Sequence, residues 1–160
     1  MMKYSQGKQG RVFVLQLENG EIIHESIEEF AADRRITSAV VWAVGAADDG
    51  SKLVVGPSDP RSTPVKPLET LLSGVHEIAA VGTIFPNEQG RPILHMHATC
   101  GRKEEARTGC IRRGVKVWKM LEVVIFEMID VQARRELDPV TGFQMLNPRR
   151  PTMTDLSTIR

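Results

Sequence analysis

His76-Glu-Ile-Ala-Ala-Val-Gly-Thr-Ile-Phe85, then Pro86-Asn-Glu-Gln-Gly90, then Arg91-Pro-Ile-Leu-His-Met-His-Ala-Thr99 reads as strand, turn and strand. Apolar and β-branched residues dominate both extended runs, and the cluster between them is turn chemistry. Strands joined by so short a turn run antiparallel. In a strand, residues i and i+2 share a face, so the imidazoles of His95 and His97 are parallel neighbours. Two of the four histidines fall in this one tripeptide. Imidazole nitrogen is a ligand for zinc, nickel or iron, and a thiolate from Cys110 would make a third. Cys110 follows the flexible Gly109 and precedes Arg112 and Arg113, whose positive charge favours the thiolate. A plainer reading fits the same residues. His-x-His also arises as polar alternation on an exposed face, and a lone cysteine is often a small buried hydrophobe. Two histidines alone fall short of the three or four ligands a site needs.

Outward from this hairpin, further strands follow through short turns. Arg11-Val-Phe-Val-Leu-Gln-Leu17 ends at the Glu18-Asn-Gly20 turn, and Glu21-Ile-Ile-His24 is a short extended piece. Ser26 and Glu29 form a capping-box pattern, with Ile27, Phe30 and Ala31 at helical spacing behind it. Glu25, Glu28 and Glu29 near the helix start, and Arg34 and Arg35 near its end, match the macrodipole. Thr37 to Gly45 is a nearly continuous apolar run and predicts a central strand covered on both faces. Lys52 to Val55 is a strand, Gly56 to Pro67 a proline-rich loop, and Pro67 to Leu72 fits one helical turn. Val115 to Ile129 is one long strand or two. Asp138 to Gly142 is a hairpin turn between Arg134-Arg-Glu-Leu137 and Phe143-Gln-Met-Leu146. The expected fold class is α+β, a mostly antiparallel β-sheet packed with one main helix. The expected organisation is a flexible arm over 1–9, a single domain over 10–146 and a mobile tail over 147–160.

With 160 residues, 41% hydrophobic and 26% charged, the chain has the composition of an ordinary globular domain. A net charge of +1 does not support a protein that coats nucleic acid by charge alone. Cys100 and Cys110 do not make a disulfide framework. The first ten residues hold no apolar signal core, and the longest apolar run falls far short of the ~20 residues that span a bilayer. No membrane partner is expected. A reducing, cytoplasmic setting would leave Cys110 free for a metal.

Charge is unevenly placed. Residues 18–33 hold six acidic and no basic side chains, whereas residues 102–119 hold seven basic against Glu104 and Glu105. Arg102, Arg112 and Arg113 are therefore candidates for an anion site beside the metal, and equally for a solvated strand edge. Glu122, a carboxylate in an apolar run, is either structural or an acid/base group near the metal. His24 and His76 read as surface or satisfied polar positions. Gly90-Arg91-Pro92 invites comparison with an AT-hook core, but Gln89 replaces its leading arginine. No nucleophile elbow, Walker loop or dinucleotide fingerprint is present.

Several blocks taken in order, Gly10-Arg11-Val-Phe-Val-Leu-Gln-Leu17, Ile36 to Gly45, Gly82-Thr-Ile84, Gly90-Arg-Pro-Ile-Leu-His-Met-His97, Gly114 to Trp118 and Glu122-Val-Val-Ile125, resemble the plants-and-prokaryotes-conserved (PPC) domain. The resemblance runs from about residue 10 to 130. It implies a compact α+β domain that forms a homotrimer. Plant members place it after AT-hooks in nuclear DNA-binding proteins, and prokaryotic members are usually the bare domain with no settled activity. The family's metal pocket takes the two histidines of His-x-His, carried here by His95 and His97. Its third ligand comes from a Gly-Gly-His segment, which here reads Thr108-Gly109-Cys110. The implied cofactor is zinc or another divalent transition metal, with nucleic acid or a small anionic ligand as the partner. The fold class is also similar to that of acetolactate decarboxylase, which implies an alternative: a metal-dependent enzyme on a small carboxylate or keto-acid.

Overall fold

A computed structural model describes residues 2–63 and 65–149. Within them ten strands and one α-helix follow in the order β1 (Lys8–Glu18), α1 (Ile23–Asp33), β2 (Ala39–Ala47), β3 (Lys52–Pro57), β4 (Pro67–Leu71), β5 (His76–Pro86), β6 (Pro92–Arg102), β7 (Glu105–Cys110), β8 (Val117–Ile129), β9 (Ala133–Leu137) and β10 (Gln144–Pro148). A single 3-10 turn, Ile111–Arg113, separates β7 from β8. The first eight strands form one antiparallel sheet in the order β1-β8-β2-β5-β6-β7-β3-β4, and β9 and β10 form a separate hairpin. This is the α+β fold expected from the sequence.

Period-two alternation decides which face is the core. Ile78, Ala80 and Ile84 of β5, Leu94, Met96, Ala98 and Cys100 of β6, and Leu121, Val123 and Ile125 of β8 are all buried on one side. Helix α1 lays Ile23, Ile27 and Ala31 into the same core. Each fully buried isoleucine contributes about 1.5–3 kcal/mol of transfer free energy. Arg11 clamps the sheet edge to the helix end. Its Nε and Nη2 each lie 2.7 Å from an oxygen of the buried Glu127, and Nη2 also donates to the Arg34 carbonyl.

Local readings differ from the structure in four places. The helix begins at Ile23, one turn before the expected cap at Ser26. Ile22 is already bridged to Lys116 and the Ile23 N–H donates to the Val115 carbonyl, so the first turn is anchored by strand backbone. Ser26, inside the helix, donates instead to Glu21. Residues Pro67–Leu71 form a strand, not a helical turn, because they pair along β3. The basic segment after Arg102 contains strand β7, paired to β6 through Thr108 and Cys110. Finally, β2 is central but covered on one face only. Its core positions hold Ala39, Val41, Ala43 and Ala47, while Trp42 is 52% and Val44 61% exposed.

The outer face therefore carries an apolar row that runs up to His97. Following the register, Val14 (β1), Val124 (β8), Trp42 (β2), Val81 (β5), His97 (β6), Cys110 (β7) and Val54 (β3) stand side by side. Residues ahead of β1 lie against the hairpin. Ser5 Oγ accepts the Gln132 N–H at 2.8 Å and Lys3 donates to Asn147 at 2.9 Å. Of the tail expected over 147–160, residues 150–160 lie outside the described residues. No helix among the described residues is long and apolar enough to cross a membrane.

Candidate metal centre

Strand β6 places the donors. Its even-numbered side chains fill the core, so His95 and His97 must stand on the outer face. Thr83 is paired with His95, Val81 with His97, and on the other side Cys110 is paired with His97. Cys110 is the last residue of β7. The chain then turns at once, because Ile111 drops into the core. Two glycines permit the close packing behind these donors. A Cβ on Gly82 would lie 2.6 Å from Met96 Cβ, and one on Gly109 would lie 2.7 Å from the Val54 carbonyl.

One potential ligand atom from each of His95, His97 and Cys110 lies within 4.8 Å of the other two. The imidazole centroids are 5.0 Å apart with planes at 86°. Donors at zinc–nitrogen and zinc–sulfur distances of about 2.0–2.3 Å sit roughly 3.5 Å from one another in a tetrahedron, a gap that small side-chain rotations close. Two imidazoles and a thiolate are a fitting set for zinc or a neighbouring divalent metal, with a fourth position left open. The His95 pKa is lowered by burial, then by Arg135, His97 and Arg112, which favours the neutral, ligand-competent ring. Cys100 is different in kind. Burial pushes its thiol up to about 11, so it serves as a core residue.

The basic residues expected around the donors are divided by the fold. Arg112 lies at the site. Its Nη1 is 2.8 Å from Glu28 Oε1, and its Nη2 donates to the Leu94 carbonyl. Glu28 Oε1 also accepts the Leu94 N–H at 2.7 Å. Strand β7 stops at Cys110, so beyond His97 the β6 edge has no strand beside it. The Glu28–Arg112 pair takes the place of that strand. Arg113 turns instead to Glu69 of β4, at 3.2 Å. Arg102 stands at the far end of β6 and donates to the Val75 carbonyl at 2.8 Å. Glu122 is on the outer face, but β8 is three strands from β6, about 14 Å at ordinary strand spacing. Within one chain it does not reach the donors.

Sequence reading missed Arg135. This residue is 3% exposed and comes from the β9–β10 hairpin folded over the outer face. Its Nη2 lies 3.1 Å from Thr83 Oγ1 and 3.3 Å from the Thr83 carbonyl, its Nε lies 3.4 Å from the Ile93 carbonyl, and its guanidinium stands 5.8 Å over the Phe85 ring. It thus walls the site on the His95 side. The available signal was alternation, since Arg135 sits between Ala133 and Leu137 at apolar-face positions.

The sequence model of the Plants and Prokaryotes Conserved (PCC) domain matches residues 4–129. The chain belongs to this family. No curated protein matches its sequence. Among solved structures, the PPC chain is similar to a metal-containing protein from Archaeoglobus fulgidus, with 22% identity and TM-score 0.79 over 91% of this chain and 99% of that one. It is similar to a plant- and prokaryote-conserved (PPC) protein from Pyrococcus horikoshii, with 18% identity and TM-score 0.74 over 91% and 97%. It is also similar to a Bacteroides thetaiotaomicron protein provisionally named as DNA-binding, with 18% identity and TM-score 0.69 over 89% and 96%. At these identities the likeness is one of fold.

The two remaining histidines are unlike each other. His76 is buried and satisfied, with Nδ1 2.9 Å from the Gly74 carbonyl. His24, expected to be satisfied or exposed, has a buried Nδ1 with no hydrogen-bond partner among the described residues. Burial and then Arg112 lower its pKa below the ordinary 6.5, against weaker opposing effects from Glu28 and Glu25. A histidine whose folded pKa is depressed binds fewer protons than the unfolded chain does, so stability rises with pH through that window. We predict that stability falls as pH drops below about 6.5. His24→Leu should flatten the decline. Urea unfolding at pH 5, 6 and 7 measures both slopes, and equal slopes in the two proteins would refute the assignment.

Proposed function

We propose that this chain is a homotrimeric, metal-binding PPC protein that acts as a binding or regulatory module. Zinc or another divalent transition metal would be held by His95, His97 and Cys110. The observation that carries this reading is the convergence of three donors of suitable chemistry within 4.8 Å. The metal-containing Archaeoglobus relative supports it. A bound ion of this kind supplies Lewis acidity at its open position. A reducing, cytoplasmic setting suits the cysteine donor. Elemental analysis after purification without added metal should find metal in the wild type and a large loss in His95→Ala and Cys110→Ser. Unchanged content in both variants would falsify the ligand assignment.

The trimer is supported by the outer apolar row, in which Val14 is 77%, Trp42 52% and Val81 62% exposed. Contiguous apolar surface of that kind marks an interface. Light scattering should return about three times the 17.8 kDa chain mass for the wild type. Trp42→Glu places a charge in the row and should shift the mass towards one chain. A wild-type monomer overturns the trimer.

Relatives provisionally named as DNA-binding, from Bacteroides thetaiotaomicron and Ralstonia eutropha, bring nucleic acid into consideration. A net charge of +1 favours contact through partner proteins over direct phosphate binding. The purified protein should pass through a DNA column at about 50 mM salt, where phosphate contacts are strongest. Salt-sensitive retention there means direct binding.

A second reading, a metal-dependent enzyme on a small carboxylate or keto-acid as in acetolactate decarboxylase, is favoured by one specific observation. Two arginines flank His95, Arg112 bonded to the Leu94 carbonyl and Arg135 to Thr83, which is paired with His95. In that reading Glu122 of the same chain is too distant to move the proton.

A further inference from the structure

Among the described residues Arg135 has no ion-pair partner. None of their carboxylates lies within 4.0 Å of its guanidinium, although only 3% of the residue is exposed. Its contacts are neutral oxygens at 3.1–3.4 Å and the Phe85 ring. Buried arginines are ordinarily paired, because an uncompensated buried charge is strongly destabilising. The carboxylate that could serve, Glu28, is already 2.8 Å from Arg112. Arg112, bonded to the Leu94 carbonyl, and Arg135, fastened to Thr83 across from His95, thus set two guanidinium groups beside that histidine. The fold has concentrated positive charge next to three metal donors and offsets that of Arg135 only at a distance, through Cys110 and Glu28.

We propose that Arg135, assisted by Arg112, is the binding subsite for a small oxyanion whose second oxygen reaches the open position of the metal centre. The proposal rests on the metal-binding reading above. A planar guanidinium matches the two oxygens of a carboxylate or phosphate. Scale favours a short molecule. Arg135 is fastened to Thr83, and Thr83 is directly across from His95, where paired side chains begin about 5 Å apart. An acid group on Arg135 therefore sets an oxygen on the neighbouring carbon over the His95–His97 pair. A 2-oxo or 2-hydroxy carboxylate has that spacing, and inorganic phosphate offers the same oxyanion chemistry without a carbon chain. The near-complete burial of Arg135 disfavours a polymer backbone as the ligand.

Calorimetric titration of the protein as purified, with metal content measured on the same samples, separates the outcomes. Pyruvate represents the carboxylate and inorganic phosphate the alternative source of the oxyanion. Wild-type protein should bind at least one probe. Arg135→Met should weaken that binding at least tenfold with metal content unchanged, while Arg113→Met, altered at a residue turned to Glu69, should stay within twofold. Arg135→Lys keeps the charge without the fork and should fall between wild type and Arg135→Met. It also serves if Arg135→Met does not fold. Stronger binding of pyruvate identifies the carboxylate, and stronger binding of phosphate the inorganic ion. If the wild type binds neither, or Arg135→Met binds as the wild type does, the subsite is overturned and Arg135 is a structural brace. If the wild type carries no metal but still binds a probe in an Arg135-dependent way, the metal reading fails and the anion subsite stands.

Discussion

Everything at the candidate site depends on the register of β6. Its even-numbered residues Leu94, Met96, Ala98 and Cys100 are committed to the core, so a shift of one residue would bury both histidines and expose four apolar side chains. That penalty fixes His95 and His97 on the outer face more firmly than any contact the imidazoles make themselves. Pairing to β5 and β7 then sets their neighbours, Thr83 and Val81 on one side and Cys110 on the other. The geometry of the donors is a by-product of hydrophobic burial on the opposite face of the sheet.

Where the sheet pattern ends, charge takes over. Past Cys110 the edge of β6 has no strand, and Glu28 and Arg112 satisfy the Leu94 N–H and carbonyl in its place. The arrangement joins the acidic helix to the basic segment that follows β7, the two regions whose charges are most uneven in the sequence. It engages one oxygen of Glu28, Oε1, with both Arg112 and the Leu94 N–H. Arg112 and Arg135 make the environment around His95 positive, and the nearby Glu28 is paired with Arg112.

Much of the fold was legible because its signals were local. The alternation of β5 and β6, the turn at residues 86–90 and the hairpin around Asp138–Gly142 all depend on neighbours in sequence. The errors came where distant partners decide the outcome. Ser26 carries a cap signature, yet backbone from residues 115–117 starts the helix a turn earlier. The apolar run of β2 looked covered on both faces because alanines on the core side and Trp42 and Val44 on the open side are all apolar. At the site, the two histidines and Cys110 were readable from spacing and chemistry. Arg135 was not, because its place beside His95 is fixed by a hairpin that folds back across some forty residues of sequence.

The order of the strands also bears on how the pocket is assembled during folding. His95, His97 and Cys110 lie on consecutive, adjacent strands, so the meander from β5 to β7 closes only short loops. Strand β1 must instead find β8 across more than a hundred residues, as in the Leu15–Val123 pair. Loop-closure entropy rises with such separations, and long-range pairings slow folding. The donor meander is thus the part of the sheet with the least entropic cost to form, whereas the arginine wall must await the last hairpin of the described chain.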